Sequence, residues 1–560
     1  MSSTGESALR RNTRAGMAAW FWGQGLNFIR MMVLLDFLSA NGYGLWLFAF
    51  SIIGYFTIYN FGIANAFVNF TAQLHARKDY ERLNGLLSTG VAVNLLLAVA
   101  IAGFVTCFRD SALTFFRVHA DNMSDGSFVL LGVGLTSAFS IATSVYSGVL
   151  TGLQRLDVRN YTTVAIGTLE FVASITLLNL GYGIRAVVFV YGLSVVITNL
   201  TYAWHAHRLL PALHLSPLLL SRHYLGDLFS LGARMQLLGI MGLLVASLDL
   251  TLFMYYGGAA FVGIYGAAQK FAQRAQGVAL QGYGALAPAA ADLHSRQEHA
   301  ALSSLYASAQ RLSIIGCAWM FAYLAVNSDI VMLFVMDEQF DHLAAYALSV
   351  LCIGYFVHTL TGPGSSMLRG SGRTFQEILY QALTVIIFGG LFVAAGGLQH
   401  RRDTPSPPVV TAEYESFLLA ALDGVAHSTA VDPETLHQRD SIIIATWPIA
   451  LASASLIFIF IANRFFRVPS FAPFNVTAYP LLAALLIAWS THVLLNMVMD
   501  FSHFHSRWPA FGAILVTGVI YSLLSLPLIW RLPGLTAEDK QQLIAFLPGG
   551  QRLARMAGGT

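Results

Sequence analysis

The sequence predicts an all-α integral membrane protein with about fourteen transmembrane helices, arranged as two pseudo-symmetric six-helix lobes plus a C-terminal helix pair. Three observations predict it. Of the 560 residues, 56% are hydrophobic and only 11% are charged, against about 25% charged in a soluble protein, and the mean hydropathy is +0.64. Apolar stretches of about 20 residues, long enough to cross ~30 Å of hydrocarbon, recur fourteen times. The hexapeptide LHARKD at 74–79 returns as LHSRQE at 293–298, and such a recurrence marks an internal repeat.

The predicted spans run near 15–38, 44–66, 86–107, 127–150, 161–180 and 185–205 in a first lobe, and near 229–255, 260–286, 307–327, 343–367, 374–397 and 441–463 in a second. Spans near 476–497 and 509–530 form the terminal pair. Helices are required because lipid cannot satisfy open backbone groups, and no segment alternates as a barrel strand does. The stretch RRNTRAGMAAWFWGQGLNFIRMM is interrupted by Gln24, Asn27 and Arg30 and lacks a small-residue cleavage site, so it reads as the first span, not as a signal peptide. The 219-residue offset of the hexapeptide also carries Gly44-Leu45-Trp46 onto Gly263-Ile264-Tyr265, and Leu83 and Leu86 onto Leu302 and Leu305. Two parallel lobes related by an axis along the membrane normal follow. The predicted division is 1–205 for the first lobe, 206–228 for a cytoplasmic linker, and 229–467 for the second lobe with an outside insertion at 398–440. The helix pair then occupies 474–531 and a cytoplasmic tail 532–560.

Orientation follows from the lysines and arginines. With the N-terminus inside, nineteen of the 31 fall in cytoplasmic segments, seven in outside loops, and five, Arg30, Arg234, Lys270, Arg274 and Arg311, in or at the edge of spans. Both termini are then cytoplasmic. A net charge of +3 without basic runs excludes nucleic acid as a partner. Cys107, Cys317 and Cys352 have neither CxxC spacing nor nearby histidines, so no metal site or disulfide framework is expected.

The eighth span holds the feature that calls for an explanation. In YGAAQKFAQRAQG, residues 265–277, Gln269, Lys270, Gln273 and Arg274 share one helical face. A single cation at the bilayer centre costs about 2.5–3.5 kcal/mol, so such a face must look into water or protein. The first span carries a similar stripe of Trp20, Gln24, Asn27 and Arg30, and Arg30 maps through the repeat onto Asp249 in the seventh span. Equal depth on opposite lobes would let these two face one another across a central cleft. A cleft lined by Arg30, Arg234, Lys270 and Arg274, with Gln24, Asn27, Gln269 and Gln273 between them, suits an anionic, hydroxyl-rich cargo: guanidinium and ammonium groups bind phosphate, and carboxamides both donate to and accept from sugar hydroxyls. Trp20 and Tyr265 are candidates to stack on sugar faces. Asp36, Glu170 and Asp249 are candidate ion-pair partners or coupling groups for protons or sodium.

Catalytic constellations and nucleotide motifs are absent, and no cofactor is expected. His400, His427 and His437 lie beside Arg401, Arg402 and Arg439 in the outside insertion, but Pro405, Pro407 and Pro408 interrupt it and its acids outnumber its cations. A short amphipathic helix is expected there from Glu413 to Val425, and another in the tail after Thr536.

Four segments, in the order and helix context just described, resemble one family. They are YNFGIANAFVNFTAQLHARKDYERLNGLLSTG at 59–90, GVLTGLQRLDVRNYT at 148–162, LDLTLFMYYGGAAFVGIYGAAQKFAQ at 248–273 and MLRGSGRT at 367–374. They are similar to the Wzx-type oligosaccharide flippases of the MOP superfamily, over roughly residues 12–395. The resemblance implies a bacterial inner-membrane protein that moves undecaprenyl-diphosphate-linked repeat units from the cytoplasmic to the periplasmic leaflet, its two lobes rocking around a cationic cavity. It implies cavity roles for Arg30, Asp249, Lys270 and Arg274, partners among glycan polymerase and export machinery, and a terminal pair like that of the fourteen-helix lipid II flippases. The long insertion at 398–440 departs from the family pattern. A monomer is expected, because a two-lobe transporter contains its own pathway. The alternatives are a cation-coupled drug antiporter of the same superfamily, which would prefer a carboxylate-rich cavity, and a membrane glycan polymerase or ligase working through Arg401 or His400.

Overall fold

In the computed structural model the described residues are 3–57, 60–399, 433–468, 472–499 and 506–531, with side chains described from residue 19 onward except chiefly at 60–62, 227–236, which includes Arg234, 433–437 and 472–478. The helices are α1 Ser3–Thr57, α2 Asn60–Ala76, α3 Tyr80–Phe115, α4 Ala120–Gly152, α5 Leu156–Asn179, α6 Gly183–Leu209, α7 Arg222–Gln281, α8 Leu286–Ser295, α9 His299–Val326 and α10 Ser328–Met336. They continue as α11 His342–Thr359, α12 Gly362–Gly370, α13 Phe375–Ala394, α14 Pro433–Phe465, α15 Ala472–Met499 and α16 Arg507–Arg531. No strand occurs among the described residues. The helices expected near Glu413 and after Thr536, and the histidines and arginines of 400–432, lie outside the described residues.

Twelve helices among the described residues are long and apolar enough to cross a membrane, and the protein is a multi-pass membrane protein. Two of the twelve are too long for one crossing: Ala19–Phe56 has 38 residues and Leu237–Gln281 has 45, about 57 and 68 Å of helix. Each contains one non-helical residue, Ser39 (φ 59°, ψ 175°) and Gly258 (φ 71°, ψ −167°). Hydropathy predicts loops at these two joints, but the helices run up to a single non-helical residue from either side. The chain doubles back at both. Across Gly258, Tyr265 touches Asp249 directly. Across Ser39, Arg30 pairs with Glu170 and Trp46 meets Tyr191 at 5.7 Å, and these two partners stand at similar heights on either side of the α5–α6 turn at Gly181.

Ser39 and Gly258 are 219 residues apart, the spacing of the hexapeptide repeat, and the other turn residues pair at the same or nearly the same spacing. Positive φ recurs at Lys78 and Gln297, Arg117 and Asp337, Gln154 and Gly372, and Gly181 and Gly396. The cores match as well. Leu83, Leu87, Val149, Leu150, Tyr202 and Ala206 pack together in the first half, and Leu302, Tyr306, Met367, Leu368, Phe458 and Ala462 do so in the second. The order α3 to α6 thus returns as α9 to α14, with the α9–α10 pair replacing the single helix α3 and the α11–α12 pair replacing the single helix α4.

The chain divides into two compact units, Met1–Gly266 and Ala267–Thr560. Within the first, the linker after α6 is stapled to α3. Asn84 donates to the Ala212 carbonyl at 2.8 Å and accepts from the His214 N–H at 3.1 Å, while Ser88 and Thr89 accept from the Ser216 and Ser221 N–H groups. Within the second, α15 and α16 dock on α9 and α10. The Tyr323 hydroxyl bonds the Ile514 carbonyl at 2.8 Å, Tyr521 bonds the Trp319 carbonyl at 2.8 Å, and His492 meets Asn327 at 3.1 Å.

Candidate functional site

The elbow residues place the candidate side chains of the first unit. The two elbows cross through glycines: a Cβ on Gly44 would run into the carbonyl of Ala259, and one on Gly263 into the carbonyl of Ala40. That close approach brings the helix after Ser39 alongside the first arm of α7, where Ser51, Tyr55 and Thr251 form a hydroxyl cluster. Ser51 Oγ lies 2.8 Å and the Tyr55 hydroxyl 2.9 Å from Thr251 Oγ1.

Arg30, nine residues before Ser39, is held by Glu170 of α5 in an ion pair whose carboxylate side chain is 4% exposed and whose guanidinium side chain is 21% exposed. Ser174 lies one turn beyond, 3.5 Å from the other carboxylate oxygen. The expected meeting of Arg30 with Asp249 is therefore corrected: Glu170 is the acid that Arg30 finds. The physical reason is reach. Asp249 is fully buried, accepting from the Tyr265 hydroxyl at 2.6 Å and from the Leu250 N–H at 2.9 Å, whereas Glu170 lies on the neighbouring helix that α1 packs against. Tyr265 is corrected in the same way. It is fully buried, with its ring edge-on to Phe253 at 4.6 Å, so it offers no face to a sugar.

In the second unit, the second arm of α7 presents Lys270 and Arg274 half-buried, one turn apart. Lys270 Nζ donates to Gln273 Oε1 at 3.1 Å, and Gln273 Nε2 donates to the Tyr355 hydroxyl of α11 at 3.1 Å. Tyr355 was not among the sequence candidates, because a tyrosine in an apolar helix reads as packing until its hydroxyl is seen to meet an amide. Gln269 is fully buried on the same helix. Of the remaining candidates, Gln24 is half-buried, Asn27 and Asp36 are exposed, and the side chain of Arg234 lies outside the described residues. Arg369 of the MLRGSGRT segment pairs with Glu377 at 3.2 Å, bracing the α12–α13 turn. No cluster of three metal-ligating side chains occurs among the described residues.

The profile of a family described as polysaccharide biosynthesis protein matches residues 9–294, just over half of the chain. No curated protein matches the sequence. Solved structures do match. An inward-facing multidrug resistance MATE family transporter of the MOP superfamily is 14% identical, covering 79% of this chain and 94% of its own, with a TM-score of 0.64. The lipid II flippase MurJ, in an inward closed conformation, is 11% identical over 92% of this chain and 98% of its own, also with a TM-score of 0.64. A MOP superfamily transporter from Pyrococcus furiosus is 14% identical over 82% and 95%, with a TM-score of 0.55. At these identities the likeness is one of fold. The elbows, the repeated half and the family profile converge: the chain belongs to the polysaccharide biosynthesis protein family and has the fold of the MOP superfamily.

Proposed function

We propose that this protein is a flippase that carries an undecaprenyl-diphosphate-linked oligosaccharide from the cytoplasmic to the periplasmic leaflet of a bacterial inner membrane by alternating access. The observation that carries the reading is the family profile over residues 9–294; the half-buried Lys270 and Arg274 in the second arm of α7 support it. A lipid-linked diphosphate sugar cannot cross hydrocarbon unaided, since charge and hydroxyls would both be desolvated. Cations inside the span offset that cost for the diphosphate, as Gln273 and Gln24 do for hydroxyls, while the prenyl tail stays in lipid. With each elbow counted as a hairpin, the twelve long apolar helices among the described residues would make fourteen crossings, and the excess of arginine and lysine in alternate loops favours both termini in the cytoplasm.

Glu170 and Asp249, two of the buried carboxylates, are the candidates for proton or sodium coupling, with the exposed Asp36. The membrane potential acting on the anionic headgroup is the other drive. The protein works as a monomer, handing its product to polymerase and export machinery. No cofactor takes part.

Complementation of a strain lacking its own flippase tests the reading, with Lys270→Ala, Arg274→Ala and the double variant at matched membrane levels. Restored glycan export by the wild type, and cytoplasmic-leaflet accumulation of lipid-linked repeats with the double variant, is the expected result. Failure of the wild type to restore export with any glycan system, together with efflux of cationic drugs, would replace the flippase with the antiporter.

A further inference from the structure

A cavity of about 360 Å³ opens among α4, α5 and α6, wholly within the first unit. Its lining is mostly hydroxyls at helical spacing. Ser140, Ser144 and Ser147 line up on α4, Ser194 and Thr198 on α6, and Thr163 faces them from α5. No lining residue is charged. Ser144 is set in place from behind: the fully buried Asn94 of α3 donates to Ser144 Oγ at 3.0 Å, so the Ser144 proton is left to donate elsewhere. Asn94 Oδ1 has no partner. Asn199, 7% exposed, donates its amide to the Val195 carbonyl at 2.9 Å and leaves its carboxamide oxygen as an acceptor at the cavity wall. No described hydrogen bond takes the hydroxyls of Ser140, Ser147 or Thr198. At the end nearer Arg159, Tyr202 closes the space, its hydroxyl 2.7 Å from Thr163 Oγ1.

The cavity is not a gap that the fold leaves everywhere. Aligned through the matching core residues Val149 and Met367, and Tyr202 and Phe458, Ser140 falls on His358, Thr163 on Gln381 and Asn199 on Ser455. There the corresponding space is filled: the His358 ring reaches Ser455 at 3.2 Å, and the Tyr380 ring packs on Phe458 at 4.4 Å. In the second unit the His358, Tyr380 and Phe458 rings occupy that place.

We infer that this cavity is a binding site for a neutral sugar ring. Its lining offers both donors and acceptors without charge. An acyl chain would leave those groups unpaired, at a desolvation cost for each, and a phosphate would demand cations that the wall does not supply. A pyranose presents a belt of hydroxyls for such a wall and apolar C–H faces for Ile166 and Val195, which also line it, and the volume falls at the small end of ligand pockets. The inference deepens the proposed function by giving a sugar of the cargo its own subsite, away from the cations of α7, and it rests on that reading only for the identity of the cargo.

The test uses purified full-length protein in lipid nanodiscs, with Ser144→Cys and, separately, Ser147→Cys in a Cys107→Ala background, since Cys107 is exposed while Cys317 and Cys352 are buried. A small hydrophilic methanethiosulfonate reports access. Methyl α-D-glucopyranoside, methyl α-D-mannopyranoside and methyl β-D-galactopyranoside are added as the neutral probes, and sodium phosphate as the anionic one. The expected result is that both cysteines label and that at least one methyl hexoside, at several times its dissociation constant, slows labelling about fivefold, while phosphate does not. Labelling that no sugar slows identifies a water-filled space and overturns the inference. Absence of labelling at both positions, with native Cys107 labelling in the parent protein, overturns it too. Because the assay needs no transport, sugar protection alongside failed complementation would sink the flippase reading alone, and unprotected labelling alongside restored export would sink the subsite alone.

Discussion

Gly44 and Gly263 stand at equivalent places in the two halves of the chain, and each lies against the backbone carbonyl of an alanine on the other's helix, Ala259 and Ala40. The contact is reciprocal, as it must be where two copies of one motif cross about a local two-fold axis. Glycine is required because the atom in the way is backbone, which cannot rotate aside as a side-chain tip can.

A first prediction follows from that crossing. Gly44→Ala and Gly263→Ala each force the two helices apart and lower stability by about 1–3 kcal/mol, the usual range for overpacking. Because both substitutions open the same crossing, the double variant loses less than the sum of the singles. Thermal unfolding in detergent, followed by fluorescence-detected size exclusion, measures all three.

The elbows give a second. Ser39 adopts a φ, ψ pair that is essentially glycine's own, whereas its counterpart Gly258 is a glycine. Strain of this kind costs about 1–3 kcal/mol per residue. Ser39→Gly is therefore expected to raise the melting temperature, and Gly258→Ala to lower it. A Ser39→Gly protein no more stable than its parent would mean that the serine is not strained in the folded state.

The ion pair of Arg30 with Glu170 supplies a third. Removing one partner leaves a charge poorly compensated in the membrane interior. Glu170→Ala is expected to destabilise by about 3 kcal/mol, toward the low end for a broken buried pair because Arg30 keeps some exposure. The charge swap Arg30→Glu with Glu170→Arg restores most of that stability. If the swap also restores glycan export the pair is purely a strut; the cargo reading expects folding without export, because the cation has moved off α1.

A fourth concerns the linker. Asn84 makes two hydrogen bonds to the segment after α6, each worth about 0.5–1.5 kcal/mol. Asn84→Ala should leave the α3 helix intact but free the linker, read as faster proteolytic cleavage within 210–221 with a drop of about 1–2 kcal/mol in stability. Unchanged cleavage would show that Leu210 and Leu213, both buried, suffice to hold it.

The sequence by itself determined that the chain lives in a membrane, about how many times it crosses, that it is built twice over, and that cations sit where lipid would reject them. Each of these is a sum over neighbouring residues: hydropathy averaged over a span, a hexapeptide that returns, the angular spacing of Gln269, Lys270, Gln273 and Arg274 on one helix. The tertiary structure alone decided which acid Arg30 would find, 140 residues away on α5, and that Asp249 would be buried on Tyr265 instead of facing Arg30. It alone also reduced the expected loops to single residues at Ser39 and Gly258, and left the serines of α4 lining a space where the second half has His358. These outcomes depend on which helices approach and how closely, and that is fixed by small residues such as Gly44 and Gly263 meeting backbone. Hydropathy reads the solvent around a helix, whereas a partner is chosen by the shape of the helix it meets.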